Sequence, residues 1–219
     1  MPFDAKSSTP PARFAWILRG ASRGPDATFD EDLADLAEAA IIPTRGALMA
    51  EWLLVVPRTP CLSVAELDRP HRARVLAIAN AVSARVSERA GASVTFEHGP
   101  GRRGSATGCG VDQAHLHVVG GTPSLLDRLV DATGDAAWMA VDHDDPWATI
   151  TPRSEYLMIR DCGRAVRALV DTPRSQLLRQ AMASVLGREH EWDYRSHPND
   201  WNARRTREMF RGAFADVPA

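Results

Sequence analysis

Residues 112–122 read DQAHLHVVGGT, and the placement of His115 and His117 within this stretch decides how the chain is read. Ala114, Leu116 and Val118 alternate with Gln113, His115, His117 and Val119. Successive side chains of a strand point to opposite faces. The spacing therefore predicts a strand with one apolar face in a core and one face bearing a glutamine and two imidazoles. That second face must meet solvent, a ligand or another part of the chain.

The flanking sequence extends this strand into a sheet. ASVTFEHG (92–99) alternates in the same way and runs into PGRRGSATGCG (100–110), a glycine-rich loop. Two neighbouring strands joined through such a loop predict an antiparallel pair. Trp52–Val56 is a continuous apolar run stopped by Pro57, which suits a buried strand. RFAWILRG (13–20), WMAVDH (138–143) and EYLMIR (155–160) read as further strands, and FDEDLADLAEAA (29–40) has helix-former composition. Ser63 with Glu66 forms a capping-box pattern that opens a long helix over about 64–90, closed by Gly91. Pro70 is expected to kink that helix or to split off its first turns. Leu67, His71, Val75, Ile78, Val82 and Val86 mark its core face.

One long helix set among strands gives an α+β class. Residues 1–12 read as a loose tail and 13–169 as the sheet domain. Residues 170–219 read as a helical extension, with helices in SQLLRQAMASVL (175–186) and ARRTREMFRGAF (203–214) around a polar loop that carries Trp192.

Composition narrows the function classes. The formal charge of −2 lacks the basic surplus that phosphate-backbone binding requires, so nucleic acid is not the expected partner. The residues MPFDAKSSTPPARFAW carry no long apolar core, and no run approaches the ~20 apolar residues of a membrane span, so neither a signal peptide nor a membrane partner is expected. Three widely spaced cysteines without a CxxC pattern point to a reducing compartment, with the cytoplasm as the expected location.

Three chemistries fit the pair at 115 and 117. The rings could sit on a wet sheet face. They could chelate zinc with a third ligand from Cys109, His98 or His143. Or one could attack phosphorus while the other donates to the phosphate oxygens, with the glycine-rich loop offering backbone amides. An attacking imidazole needs its second nitrogen anchored so that the first carries the lone pair.

The stretch Gln113-Ala-His115-Leu-His117-Val-Val resembles the signature of the histidine-triad superfamily of nucleotide hydrolases and transferases, His-φ-His-φ-His-φ-φ with φ apolar. WLLVVPR followed by SVAEL, and FEHGP…GCGVD, resemble the strand, helix start and phosphate loop of the same fold, in a bacterial branch with a C-terminal helical extension. The resemblance covers about 40–200 and implies a homodimer that needs no cofactor or metal. It assigns the nucleophile to His115 and a phosphate-oxygen donor to His117, and puts Gln113 where the first histidine of the triad stands. Ser105 and His98 fall near its phosphate contacts, and Thr44 or Arg45 near its ribose-binding position. Trp192, Asp193, Tyr194 and Arg195 are candidates for part of a base or acyl pocket. Gln176 and Arg179, one turn apart, either face the site or lie on an exposed helix face.

The implied activity is hydrolysis of a nucleoside 5′-phosphate derivative through a nucleotidyl-histidine, releasing an AMP-type nucleotide. The wording HLHVVGG favours the P–N bond of a phosphoramidate or related adenylate. A dinucleoside polyphosphate hydrolase, phosphorylase or nucleotidyltransferase is the alternative, and a catalytically weak nucleotide-binding module the alternative of another class. Gln113 cannot release a proton as an imidazolium does, which leaves His98 as the candidate acid.

Overall fold

The structure, a computed structural model, describes residues 13–151 and 153–217. The expected tail over 1–12 lies outside them. The architecture is α+β, a seven-stranded antiparallel sheet with five helices among the described residues. The strands are β1 (Ala39–Pro43), β2 (Trp52–Pro57), β3 (Ala92–Gly99), β4 (Leu116–Gly121), β5 (Trp138–Val141), β6 (Tyr156–Arg160) and β7 (Ala165–Leu169). They are ordered β1-β2-β4-β3-β6-β7-β5, with β4 between β2 and β3. Among the described residues no helix is long and apolar enough to cross a membrane.

The long helix α2 (Arg69–Ala90) follows a short 3₁₀ turn at Val64–Glu66, so Pro70 does divide the predicted segment. The cap differs from the expected one. Asp68 accepts from the His71 amide at 2.9 Å, whereas the Ser63 side chain caps nothing and Glu66 Oε2 accepts from the Leu62 amide. Gly91 ends the helix with φ +89°, a backbone conformation that favours glycine. Val75, Ile78, Val82 and Val86 pack on Leu53, Val55, Leu116 and Val118, which makes this face of the sheet a continuous apolar layer.

The opposite face is covered in two pieces. At one end α1 (Ala15–Leu18) and Phe14 pack on Ala40, Ile42, Leu54 and Val56. At the other, α3 (Leu125–Ala132) and α4 (Leu177–Val185) pack on Trp52, Phe96, Val119, Leu157 and Ile159. His115 and His117 emerge between the two pieces.

Several sequence expectations are corrected. RFAWILRG is not a strand but contains the single turn of α1, since Phe14, Trp16 and Ile17 are held by burial rather than by pairing. FDEDLADLAEAA forms no helix. Asp32 accepts from the Ala34 and Ile41 amides, which turns the chain, and Ala39–Pro43 is then drawn into β1 along β2. α4 runs over Leu177–Val185, two residues inside the predicted start. The final helix α5 (Asp200–Phe210) begins three residues before the predicted one. Residues 170–217 reach both faces of the sheet: α4 joins the site-side cluster, while Phe210 and Phe214 join the cluster under α2.

Candidate functional site

Sheet register places the imidazoles. His117 lies opposite Leu54 on β2 and Phe96 on β3, and its ring stacks on Phe96 with centroids 4.5 Å apart. Trp52 sits diagonally across, two residues from Leu54 on the same face, within reach of a large side chain. Its Nε1–H donates to His117 Nδ1 at 2.9 Å. An indole N–H can only donate, so Nδ1 of His117 is the acceptor and the proton of the neutral ring sits on Nε2.

The neighbouring ring is polarised the other way. His115 Nδ1 lies 2.9 Å from the Gln113 carbonyl oxygen. A carbonyl can only accept, so Nδ1 carries the proton and Nε2 the lone pair. The two ring centroids are 5.1 Å apart. One imidazole thus offers a lone pair and the next an N–H, each fixed by the chemistry of its partner.

Both rings line a cavity of ≈ 120 Å³ between the two pieces of the helical layer. Thr44, Arg45, Arg13, Arg179, Cys109 and Gly110 line it too. The Thr44 hydroxyl is buried and has no partner among the described residues. Arg13 pairs with Asp30, and Arg45 stands 3.5 Å from Asp26 and over the Phe29 ring. Gly110 has φ +78°, a turn conformation that favours glycine, and Tyr194 and Arg195 pin the loop by donating to the Cys109 carbonyl at 3.0 and 3.1 Å.

Burial keeps the rings neutral. It lowers the pKa of His115, with Arg13 and Arg179 adding to the effect, although the Gln113 carbonyl opposes it. His117 is held well below the usual histidine value, by burial first and then by the neighbouring His115, His98 and Arg179. A neutral imidazole is the form a nucleophile needs.

The remaining sequence-predicted residues fall into different places. The Gln113 side chain lies outside this cavity and is fully engaged. Its Nε2 donates to the carbonyls of Pro57 and Thr59 at 3.0 and 3.1 Å, and its Oε1 accepts from the Cys61 amide at 3.4 Å. It clamps the chain after β2, and it contributes to the site through its backbone carbonyl. His98, 4 % exposed, accepts on Nε2 from the Leu178 amide at 3.0 Å and so caps the first turn of α4. Its Nδ1–H is buried without a partner among the described residues, and burial pulls its pKa down to about 3. Ser105 does not line the cavity, and its Oγ accepts from the Thr107 amide at 3.2 Å. Trp192 lies elsewhere, with its carbonyl accepting from Arg179 Nε at 3.2 Å.

No three His, Cys, Asp or Glu side chains converge as a metal-ligand set among the described residues. His143, one of the candidate third ligands, stands beside Arg160 instead.

Of the candidates around Trp192, Tyr194 does line the cavity. Sequence reasoning missed Trp52 as a partner of His117, and it missed Arg13 and Phe14. Nothing local marks them, because each is brought in by register or by loop packing. Arg179 carried a readable signal: it interrupts the apolar stripe Leu178, Ala181, Met182 of α4, and a charge inside a buried stripe calls for a partner.

The chain matches no protein-family model, and no curated protein matches it in sequence.

Proposed function

We propose that this cavity is the active site of a nucleotide hydrolase of histidine-triad type, acting through a nucleotidyl-histidine. The observation that carries the reading is the opposite polarisation of two adjacent rings, His115 by the Gln113 carbonyl and His117 by the Trp52 indole.

His115 Nε2 attacks the α-phosphorus of a nucleoside 5′-phosphate derivative. The N–P bond forms, the bond to the leaving group breaks, and the positive charge gained by the ring is eased through Nδ1–H to the Gln113 carbonyl. His117 Nε2–H donates to a non-bridging oxygen whose charge grows in the transition state. Water then attacks phosphorus, the N–P bond breaks, and the nucleoside monophosphate leaves with His115 neutral again.

The sequence wording favours an amine leaving group, as in a phosphoramidate or related adenylate. An amine must be protonated as it departs. Gln113 is engaged and the three rings are neutral, so that proton would come from water. A second reading, a dinucleoside polyphosphate substrate, draws support from the cavity lining. Among the described residues three arginines and no carboxylate line it, and a phosphate leaves as an anion without an acid. A homodimer belongs to the same proposal.

The test is to incubate the protein separately with adenosine 5′-phosphoramidate and diadenosine tetraphosphate, quench in alkali and map the modified peptide by mass spectrometry. The expected adduct is on His115, and the faster substrate identifies the leaving group. Binding of adenosine 5′-monophosphate without turnover of either substrate would favour the binding module instead.

A further inference from the structure

We propose that Arg179, contributed by the C-terminal segment, is a phosphate ligand of the His115–His117 cavity, a permanent cation beside two neutral imidazoles. The inference rests on the nucleophile reading for its reaction step, but its ligand chemistry, a phosphoryl oxyanion, can be read independently.

Arg179 is 3 % exposed, and none of the ion pairs among the described residues includes it. A buried guanidinium without a carboxylate is costly, and such charges persist where they meet a ligand or a function. Two of its nitrogens are held by carbonyls: Nε donates to Trp192 and Nη2 to Gly46. Its Cζ lies 4.9 Å from the centroid of the Trp52 ring and 5.9 Å from that of Tyr194. Neutral carbonyls and ring faces fix the direction of the group, and the one carboxylate that acts on its charge, Asp193, does so without a salt bridge. Nη1 takes part in none of these hydrogen bonds, and the residue lines the same cavity as both imidazoles and the unpartnered Thr44 hydroxyl. A guanidinium, a neutral imidazole N–H and a hydroxyl around one small cavity suit a tetrahedral oxyanion.

The chain takes some trouble to place this side chain. Gln176, just before α4, has φ +58°, a strained value for a residue with a Cβ. It is fixed by its amide on Cys109 Sγ, its Nε2 on Asp193 and the Tyr194 amide on its Oε1. Gly46, whose φ is +72°, stands where a Cβ would collide with Arg179 Nη2 and Tyr194 Cβ. The backbone there is open to let the guanidinium in.

The experiment titrates inorganic phosphate and adenosine 5′-monophosphate into the full chain by calorimetry at fixed ionic strength. It compares wild type, Arg179→Met, Arg179→Lys and the exposed Arg205→Met as control. Charge-assisted hydrogen bonds predict an affinity loss of about 10- to 100-fold for Arg179→Met. Arg179→Lys should fall in between, and Arg205→Met should match wild type. Added guanidinium ion should restore phosphate binding to Arg179→Ala, which a structural role would not allow. If Arg179→Met does not fold, Arg179→Lys and the rescue decide the matter. Wild-type affinity in Arg179→Lys with no rescue of Arg179→Ala would overturn the proposal, as would wild-type affinity in a folded Arg179→Met. The two readings fail separately. Arg179-dependent phosphate binding with no adduct on His115 refutes only the nucleophile, and an adduct whose formation and nucleotide affinity ignore Arg179 refutes only the clamp.

Discussion

Trp52→Phe probes the link between the sheet and the chemistry. The indole is fully buried and gives its only N–H to His117 Nδ1 at 2.9 Å. Phenylalanine keeps the ring that meets Phe96 edge-on but loses the donor and part of the volume. An orphaned buried acceptor costs about 1–3 kcal/mol, and the change of shape in a packed core costs about 1–3 kcal/mol more. In a chain of this length the sum lowers Tm by roughly 10 °C. The chemical effect is separable. One neutral hydrogen bond of about 1 kcal/mol biases the ring toward the Nε2–H tautomer by roughly fivefold. Its loss lets His117 turn its lone pair to the phosphate and slows adduct formation by a comparable factor. The full loss of an oxyanion donor, about 10²–10³ in rate, is the ceiling. Long-range ¹⁵N–¹H correlation of the histidine rings at neutral pH reads the tautomers directly. Wild type should show His115 and His98 as Nδ1–H and His117 as Nε2–H, and Trp52→Phe should show a mixture at His117 alone. A wild-type spectrum with His115 and His117 in the same tautomer, or with either protonated, would refute the reasoning.

His115→Ala should abolish the covalent adduct while leaving nucleotide binding measurable, and a retained adduct would reassign the nucleophile. Gln113→His, which restores the residue type of the triad, should lose about 1–3 kcal/mol in urea denaturation and gain no activity. An imidazole cannot replace two donations to Pro57 and Thr59 and an acceptance from Cys61; an increase in turnover would contradict that account. Acid should destabilise the fold. His98, His115 and His117 have lowered pKa values, so their contribution is complete above 6.5 and falls with pH below it, toward about 3 for His98. Glu97, pushed up by burial to about 7 against donors from Tyr156, Val64 and Trp147, acts oppositely: its contribution is complete below 4.5 and is lost as pH rises from there toward 7. Three rings against one carboxyl leave a net loss of stability on acidification from 6.5 to 4.5. Denaturant midpoints that stay level over that range would show that the rings are not buried neutral.

The two-residue period around His115 and His117 was legible because burial on one face leaves a strand no freedom of register. The same holds for the α2 stripe. Ala39–Pro43 was not legible as a strand, because it follows an acidic run of helix-former composition. Its strand state comes from pairing with β2, a tertiary effect that outweighs local propensity. RFAWILRG failed for the opposite reason: apolar residues that bury individually against a sheet face need no regular structure of their own. Within the site, sequence spacing could place His115 and His117 together, but it could not tell that the glutamine turns away. Gln113 lies just before the β4 ladder starts at Leu116, where the alternation that the pattern assumed no longer governs side-chain direction.

The C-terminal segment is where site and fold meet. Its first-turn amide at Leu178 is capped by His98, a ring from the central sheet rather than a residue of its own turn. Its Arg179 rests on Trp52, the residue that sets the His117 tautomer. Its Tyr194 holds the carbonyl of Cys109, which fixes the loop across the cavity. The His98 ring and the Leu178 amide are both buried, so the loss of their hydrogen bond leaves a cost on both sides of the interface. The helical layer and the sheet are therefore coupled: docking of α4 completes the cavity, and the central sheet in turn supplies, through His98, the cap that α4 lacks.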